Sequence, residues 1–306
     1  WEEDSPRALS DRLELPAWDL AGDGGIREST RLRIERFSPQ VIYHLAAVSV
    51  PEQCGDEEPT ELATAVNVGG TRRVLQLADS LTPSPRLLLI SSSHVYAPVD
   101  SQSPRVDENA PLGPRHGYGM TKLAAEEEVR HSVRQHGCDA VIVRAFQHTG
   151  PRQKPPLMLP QWASQFAAAG SDPVEVHTLD AQLDISDVRD MVRAYRLLVQ
   201  RGRRGEVYNV GSGRSQSSGH ILQLLSELAD ANRAVMETRA VMETRAVMET
   251  RAIIETRPGH RQEPIANIDR LVRRTGWQAE IPIERTVADT FAWWQQKGNP
   301  ETDIGD

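Results

Sequence analysis

Leu87-Leu88-Leu89-Ile90 runs directly into Ser91-Ser92-Ser93, and Tyr118-Gly119-Met120-Thr121-Lys122 follows further along the chain. A short apolar run that ends in hydroxyl groups reads as a buried strand whose end opens on a polar site. Working outward, Val41-Ile42-Tyr43-His44-Leu45-Ala46, Ala140-Val141-Ile142-Val143 and Val207-Tyr208-Asn209-Val210 are strands of the same kind. Between them, residues 60–80 carry Leu62, Val66, Val74, Leu75 and Ala78 at helical spacing. Residues 116–136, 187–200 and 217–230 also read as helices, and residues 284–297 place Val287, Phe291 and Trp294 on one face. Strand-helix alternation of this sort predicts a doubly wound α/β fold around a parallel sheet. The later part is richer in Pro, Gly and irregular sequence, as a smaller covering lobe is, with the boundary near Gly150-Pro151.

Tyr118 and Lys122 lie four apart, so on a helix they share a face. An ammonium there favours the tyrosinate, which brings a phenol with an ordinary pKa near ~10 into use as an acid/base near neutral pH. A Ser hydroxyl from a neighbouring strand end is placed to hold a substrate oxygen. Together these groups suit moving a hydride and a proton on a carbinol or ketone. A Tyr and a Lys at this spacing usually form a surface pair; the hydroxyl-rich strand end is one feature that sets this pair apart.

The chain has 306 residues, 39% hydrophobic and 25% charged, the balance of a soluble protein with a sizeable core. A net charge of −8 with no dense Lys/Arg block argues against a nucleic-acid partner, although a few arginines suffice for a phosphate-bearing small ligand. Cys54 and Cys138 are the only cysteines. They supply neither a disulfide framework nor a zinc site, which points to free thiols in a reducing, cytoplasmic setting and to no metal centre. No run approaches the ~20 apolar residues that span a bilayer, so no membrane partner is expected. Trp1-Glu2-Glu3-Asp4 lacks the pattern of a signal peptide.

One segment repeats. Arg-Ala-Val-Met-Glu-Thr occurs three times in tandem from Arg233 and again as Arg251-Ala252-Ile253-Ile254-Glu255-Thr256. Six residues advance an α-helix by about 600°, which spreads the Val-Met pairs all round it. Six is also a multiple of two, so a strand keeps Ala, Met and Thr on one face. A long strand, a hairpin or a mobile insert all fit residues 233–256. The simplest origin is a tandem expansion in a tolerant surface region.

Four motifs in order resemble the extended short-chain dehydrogenase/reductase family, in its nucleotide-sugar branch of NAD-dependent epimerases, dehydratases and reductases. These are His44-Leu45-Ala46-Ala47, Asn67-Val68-Gly69-Gly70-Thr71, Ser91-Ser92-Ser93-His94-Val95-Tyr96 and Tyr118 to Lys122. Each is weak alone, and their order and spacing make them specific. The similarity runs from about residue 13 to 297. Arg144-Ala145-Phe146-Gln147-His148-Thr149-Gly150-Pro151 is similar to a segment of GDP-4-keto-6-deoxy-mannose reductases, with GDP-mannose 4,6-dehydratases as near relatives. Asp187–Tyr195, Gly205–Val210 and Thr275-Gly276-Trp277 extend that likeness.

The resemblance implies a Rossmann-like fold, with residues 1–150 forming the dinucleotide-binding domain and residues 151–306 mainly a substrate-binding lobe whose late elements return to the sheet. It implies NADP or NAD as cofactor, a nucleotide-diphosphate sugar (a GDP-hexose favoured) as substrate, and a homodimer. It implies Tyr118 as acid/base, Lys122 as its tuner and a cofactor-ribose contact, and Ser92 as polariser of the sugar carbonyl. Asp19 and Leu20 fall at the adenine, the Leu45, Ala46 and Ala47 backbone and Asn67 beside the cofactor, and Phe146 near the nicotinamide. Ser93, His94, Gln147 and Arg257 fall on the substrate side, with Arg257 at the diphosphate. His44 reads as a satisfied buried histidine and Ser91 as structural.

The chain also departs from the family. There is no Gly-x-x-Gly-x-x-Gly turn; Gly22, Gly24 and Gly25 follow what should be the third strand. The expectation is a truncated or mis-started chain, with Leu13–Trp18 lacking a neighbour and poor cofactor affinity. His94 stands where dehydratases place a proton-abstracting Glu, Gln147 replaces the usual Asn, Leu183 a common Arg and His260 a common Asp. The leading expectation is thus an NAD(P)-dependent reductase of a nucleotide-activated 4-keto-6-deoxy sugar. A 4,6-dehydratase or 4-epimerase, or a non-catalytic binding protein, are the alternatives.

Overall fold

Among the described residues, four parallel strands form the central sheet of the computed structural model: β1 (Val41–His44), β2 (Arg86–Ser92), β3 (Ala140–Ala145) and β4 (Val207–Val210), in that spatial order. The structure describes residues 18–22, 25–168, 170, 172–229, 233–237, 247–249 and 261–297. Leu87, Leu88 and Val141 to Val143 are fully buried, because helices cover both faces of the sheet. That is why these strands read as continuous apolar runs and do not alternate.

The two faces divide by residue parity. Leu87, Leu89 and Ile142 pack with Val74 and Leu75 of α2 (Gly70–Ser80) and with Ala125 and Val129 of α3 (Gly117–Gln135). Helix α1 (Glu28–Phe37) precedes β1, and a π-helical stretch, Thr64–Gly69, leads into α2. On the other face, Leu88, Val141 and Val143 pack with Met191, Ala194 and Leu198, which lie on α5 (Val188–Arg201). Asp187 caps α5, its carboxylate accepting from the Arg189 N–H at 2.8 Å.

A second core forms beyond Gly150. It gathers Leu159, Trp162 and Phe166 of α4 (Met158–Ala167), Ile221, Leu222 and Leu225 of α6 (Ser218–Leu228), and Val287 and Phe291 of α8 (Ile283–Lys297). The late chain also returns to the sheet. β4 pairs with β3, and Leu271 of α7 (Asp269–Thr275) joins the α5 face together with Trp277.

The repeat resolves in part. Ala234–Glu237 pairs in parallel with Val174–Val176 and antiparallel with Val247–Glu249, in register Val235↔Met248. Paired strands, the arrangement a period of six permits, replace a helix here. The rest of the repeat, Arg257, His260 and Leu13–Ala17 lie outside the described residues.

Candidate active site at the end of the sheet

Helix α3 carries Tyr118, Lys122 and Glu126 at intervals of four, so all three face the end of β2. The Tyr118 hydroxyl lies beside the Ser92 side chain, close enough for Ser92 to favour the tyrosinate. Lys122 Nζ donates to the Ile90 carbonyl at 2.8 Å, and Ser91 Oγ donates to Glu126 Oε1 at 2.6 Å. Ser92 Oγ also accepts the His94 N–H at 3.2 Å, starting a single turn over Ser93–Val95. The His94 ring meets Tyr118 edge-on, with centroids 5.6 Å apart. Two glycines make this approach feasible. A Cβ on Gly117 would fall 2.1 Å from the Cys54 carbonyl oxygen, and one on Gly119 2.3 Å from that of His94.

The electrostatics correct one expectation. Lys122 was to favour the tyrosinate, but burial dominates and pushes Tyr118 up to about 12, the Ser92 side chain opposing it. Lys122 Nζ is held on a backbone carbonyl, 5.9 Å from the centre of the Tyr118 ring. Burial in turn pushes its ammonium down to about 8. Tyr118 is therefore a protonated phenol at neutral pH, equipped to give a proton.

Lys122 carries a measurable penalty. Below pH 8 the folded protein holds a buried ammonium; between about 8 and 10.5 the unfolded chain keeps this proton and the folded one releases it. Stability therefore rises with pH across that window, since the unfolded state binds more protons there. Lys122→Met is expected to raise stability at pH 7 by about 1–3 kcal/mol, after allowing for the lost hydrogen bond, and to abolish that rise. Thermal melts at pH 7 and pH 10.5 check this.

Asn67, expected beside the cofactor, spends its amide within the protein. Its Oδ1 accepts the Val48 N–H at 2.8 Å, and its Nδ2 donates to Val48 O and to Thr121 Oγ1. It thereby fixes the loop after β1 against α3. Phe146, expected near the nicotinamide, is only 2% exposed, packed among Val95, Tyr96, Val106 and Ala266. Its ring is spent in that small core and offers almost no surface to a ligand.

His44 is buried and neutral. Burial, then the charge of Lys122, lower its pKa to about 4. The Thr71 hydroxyl donates to Asn67 O, so His44 Nε2 donates to Thr71 Oγ1 at 3.0 Å. Leu45 and Ala46 are exposed at the end of β1. Leu20 packs over Gly70 and its carbonyl accepts from Arg73, while Asp19 caps the Ala21 N–H. Ser93 is buried; Gln147 is half-buried on the short strand after Phe146.

These positions test the fit to a dinucleotide. Two donors, the Tyr118 hydroxyl and Lys122 Nζ, converge beside an exposed loop at the carboxyl end of a parallel strand, where such sheets hold ligands. The residues present fit the nicotinamide-ribose half. Among the described residues no glycine-rich turn opens a helix for the pyrophosphate.

Sequence reasoning left one group without a role. Arg144 is 1% exposed and pairs with Glu126, which is fully buried, through Nε at 3.0 Å and Nη2 at 2.9 Å. Arg144 Nη1 donates to Tyr96 Oη, and Tyr96 Oη to Asn209 Oδ1 at 2.6 Å. The signal was an arginine inside the apolar run Val141-Ile142-Val143-Arg144-Ala145: a charge there is paired or prohibitively costly.

Residues 15–211 match the NAD dependent epimerase/dehydratase family. The chain belongs to that family. Within the epimerase/dehydratase family it is 31% identical over 268 residues to a GDP-6-deoxy-D-mannose reductase of Pseudomonas aeruginosa, covering 86% of this chain and 83% of the relative. It is 25% identical over 282 residues to a dTDP-glucose 4,6-dehydratase of Xanthomonas campestris, covering 89% and 76%. Its fold is similar to that of RMD from Pseudomonas aeruginosa complexed with NADPH, with a TM-score of 0.77, 26% identity, and 93% and 90% of the two chains covered. Epimerase/dehydratase family membership thus agrees with the Rossmann-like parallel sheet and with the order of the motifs along it.

Proposed function

We propose that this protein is an NAD(P)-dependent nucleotide-sugar reductase acting on a 4-keto-6-deoxyhexose carried on a nucleoside diphosphate, with GDP favoured. One observation carries the choice of reduction: burial keeps Tyr118 protonated beside Ser92, and the residues after Ser92 are Ser93 and His94, neither of them a carboxylate. Reduction of a ketone needs a proton donor at the forming alkoxide. Dehydration needs a base strong enough to take the sugar C5 proton.

A bound reduced nicotinamide supplies the hydride. Ser92 holds the carbonyl oxygen, and Tyr118 donates its proton to that oxygen as the alcohol forms. Lys122, charged below pH 8, places positive charge beside the ribose and the tyrosinate left behind. Leu45, Ala46 and Ala47 line the cofactor, with Asp19 and Leu20 toward its adenine. Ser93, His94 and Gln147 lie on the sugar-nucleotide side; Arg257, assigned to the diphosphate by the family resemblance, is outside the described residues. The sheet up to Gly150, with its returning elements, holds the cofactor, and the second core covers the sugar. A cytoplasmic homodimer built on α2 and α3 completes the reading; the free thiols of Cys54 and Cys138 agree with a reducing compartment.

Turnover of the keto sugar with reduced cofactor in D₂O, followed by mass spectrometry and NMR, tests the choice of chemistry. Reduction leaves C5 unlabelled by enzyme action beyond the enzyme-free control. Enzyme-dependent deuterium at C5 would establish proton abstraction there and remove the reductase assignment.

A further inference from the structure

Four arginines surround a depression of about 470 Å³, lined by Arg203, Glu206, Tyr208, Arg270, Arg273 and Arg274. It lies at the start of β4, where Val207 pairs with Ile142. The other end of β4, Val210, pairs with Ala145, which pairs with Ser92. Three residues of strand place the depression roughly 10 Å along the sheet from the candidate active site, at the opposite end. A ligand here is not the substrate of the chemistry at Tyr118.

Charge is concentrated at this point in a chain of net charge −8. Four guanidiniums line the depression against one carboxylate, Glu206, and that carboxylate is already engaged. It accepts from the Tyr208 hydroxyl at 2.6 Å and lies 3.6 Å from Arg203 Nη1. Two arginines are fixed in place. Arg270 Nη1 donates to Val207 O at 3.0 Å and its Nε lies 3.3 Å from Glu108 Oε2, while Arg274 Nε donates to the Arg201 carbonyl. The other two are adjustable: Arg203, 68% exposed, and Arg273, which makes no ion pair among the described residues. Like charges gathered round one depression repel unless an anion joins them. Guanidinium forks match phosphate oxygens in bidentate pairs.

We propose that this depression binds a compound bearing a diphosphate group. Its volume falls within the range of small-molecule sites, and four arginines exceed what one phosphate engages. The fixed pair, Arg270 and Arg274, sets the position of the phosphate chain, and Arg203 and Arg273 close over it. The site stands independently of the reductase reading, since it uses none of the groups at the sheet's other end.

Calorimetry of the full chain at low ionic strength, with inorganic pyrophosphate as probe, tests this. Pyrophosphate is expected to bind with one-to-one stoichiometry, and orthophosphate at least about tenfold more weakly. The double variant Arg203→Ala/Arg273→Ala is expected to weaken pyrophosphate by about tenfold or more with an unchanged melting temperature, because both side chains are exposed. Ser92→Ala is expected to bind it as the parent does. ADP binding more tightly than pyrophosphate through the same arginines identifies a nucleotide as the ligand; equal affinity identifies the phosphate chain alone. Absence of pyrophosphate binding by the folded parent at about 5 mM, or unchanged binding by the double variant, would overturn the proposal.

Discussion

Tyr118→Phe lowers turnover by about 10²–10⁴-fold, the worth of a positioned proton donor, with cofactor affinity and melting temperature close to those of the parent. The phenyl ring fills the same space between His94 and the helix start, and only the hydroxyl that meets Ser92 is lost. The loss therefore falls on kcat more than on KM, as for an interaction made chiefly in the transition state. The pH profile adds a second readout. Tyr118 holds its proton up to about 12, so donation does not fail between pH 6 and 9 through loss of that proton. A decline near pH 8 would report Lys122, whose ammonium discharges there. Parent-like turnover by Tyr118→Phe contradicts the assignment of the proton donor.

The second large effect is on stability. Glu126 and Arg144 are both buried, and between them they tie three elements together: α3 through Glu126, β3 through Arg144 and the end of β2 through Ser91. Arg130 adds a further bond to Glu126 Oε2 at 2.8 Å. Arg144→Met leaves buried Glu126 with only Ser91 and Arg130 as partners, and is expected to cost about 3 kcal/mol, the low end for a broken buried pair. Arg144→Met combined with Glu126→Leu removes both charges, and is expected to recover most of that loss, since apolar replacement of a whole buried pair is often near neutral. Urea denaturation of these two variants and of Glu126→Leu alone gives the coupling directly. Single and double variants losing equal stability would mean that the pair acts through its packing alone. Because Ser91 precedes Ser92, the double variant is also expected to lose kcat while folded, which separates positioning from folding.

What the sequence made legible follows from local physics. Leu87–Ile90 and Ala140–Val143 are apolar at every position because helices cover both faces of the sheet, so the strands and their parallel pairing could be read from one-dimensional pattern. Tyr118 and Lys122 share a helix face by spacing alone. Other features depend on which distant segments meet. The direction of the Tyr118 shift needed the depth of burial, which spacing does not carry. Asn67 matched a cofactor motif, yet its amide is consumed by Val48 and Thr121, and that is visible only once the loop after β1 meets α3. Phe146 follows a strand end like a ligand contact, yet turns into the core among residues far away in sequence. The Arg144–Glu126 pair joins helix to strand across residues that no short motif links. The return of β4, α5 and α7 to the first core likewise follows from pairing with β3, not from any boundary signal near Gly150.

The proposed reductase activity is tested most directly by cofactor stoichiometry. The purified chain is mixed with NADPH and a GDP-4-keto-6-deoxyhexose, absorbance at the reduced nicotinamide band is followed, and the sugar product is quantified. One NADPH oxidised for each 6-deoxyhexose formed is the expected result, with the Tyr118→Phe protein inactive in the same assay. A sugar product formed without net NADPH oxidation, as an epimerase or dehydratase gives, would contradict it.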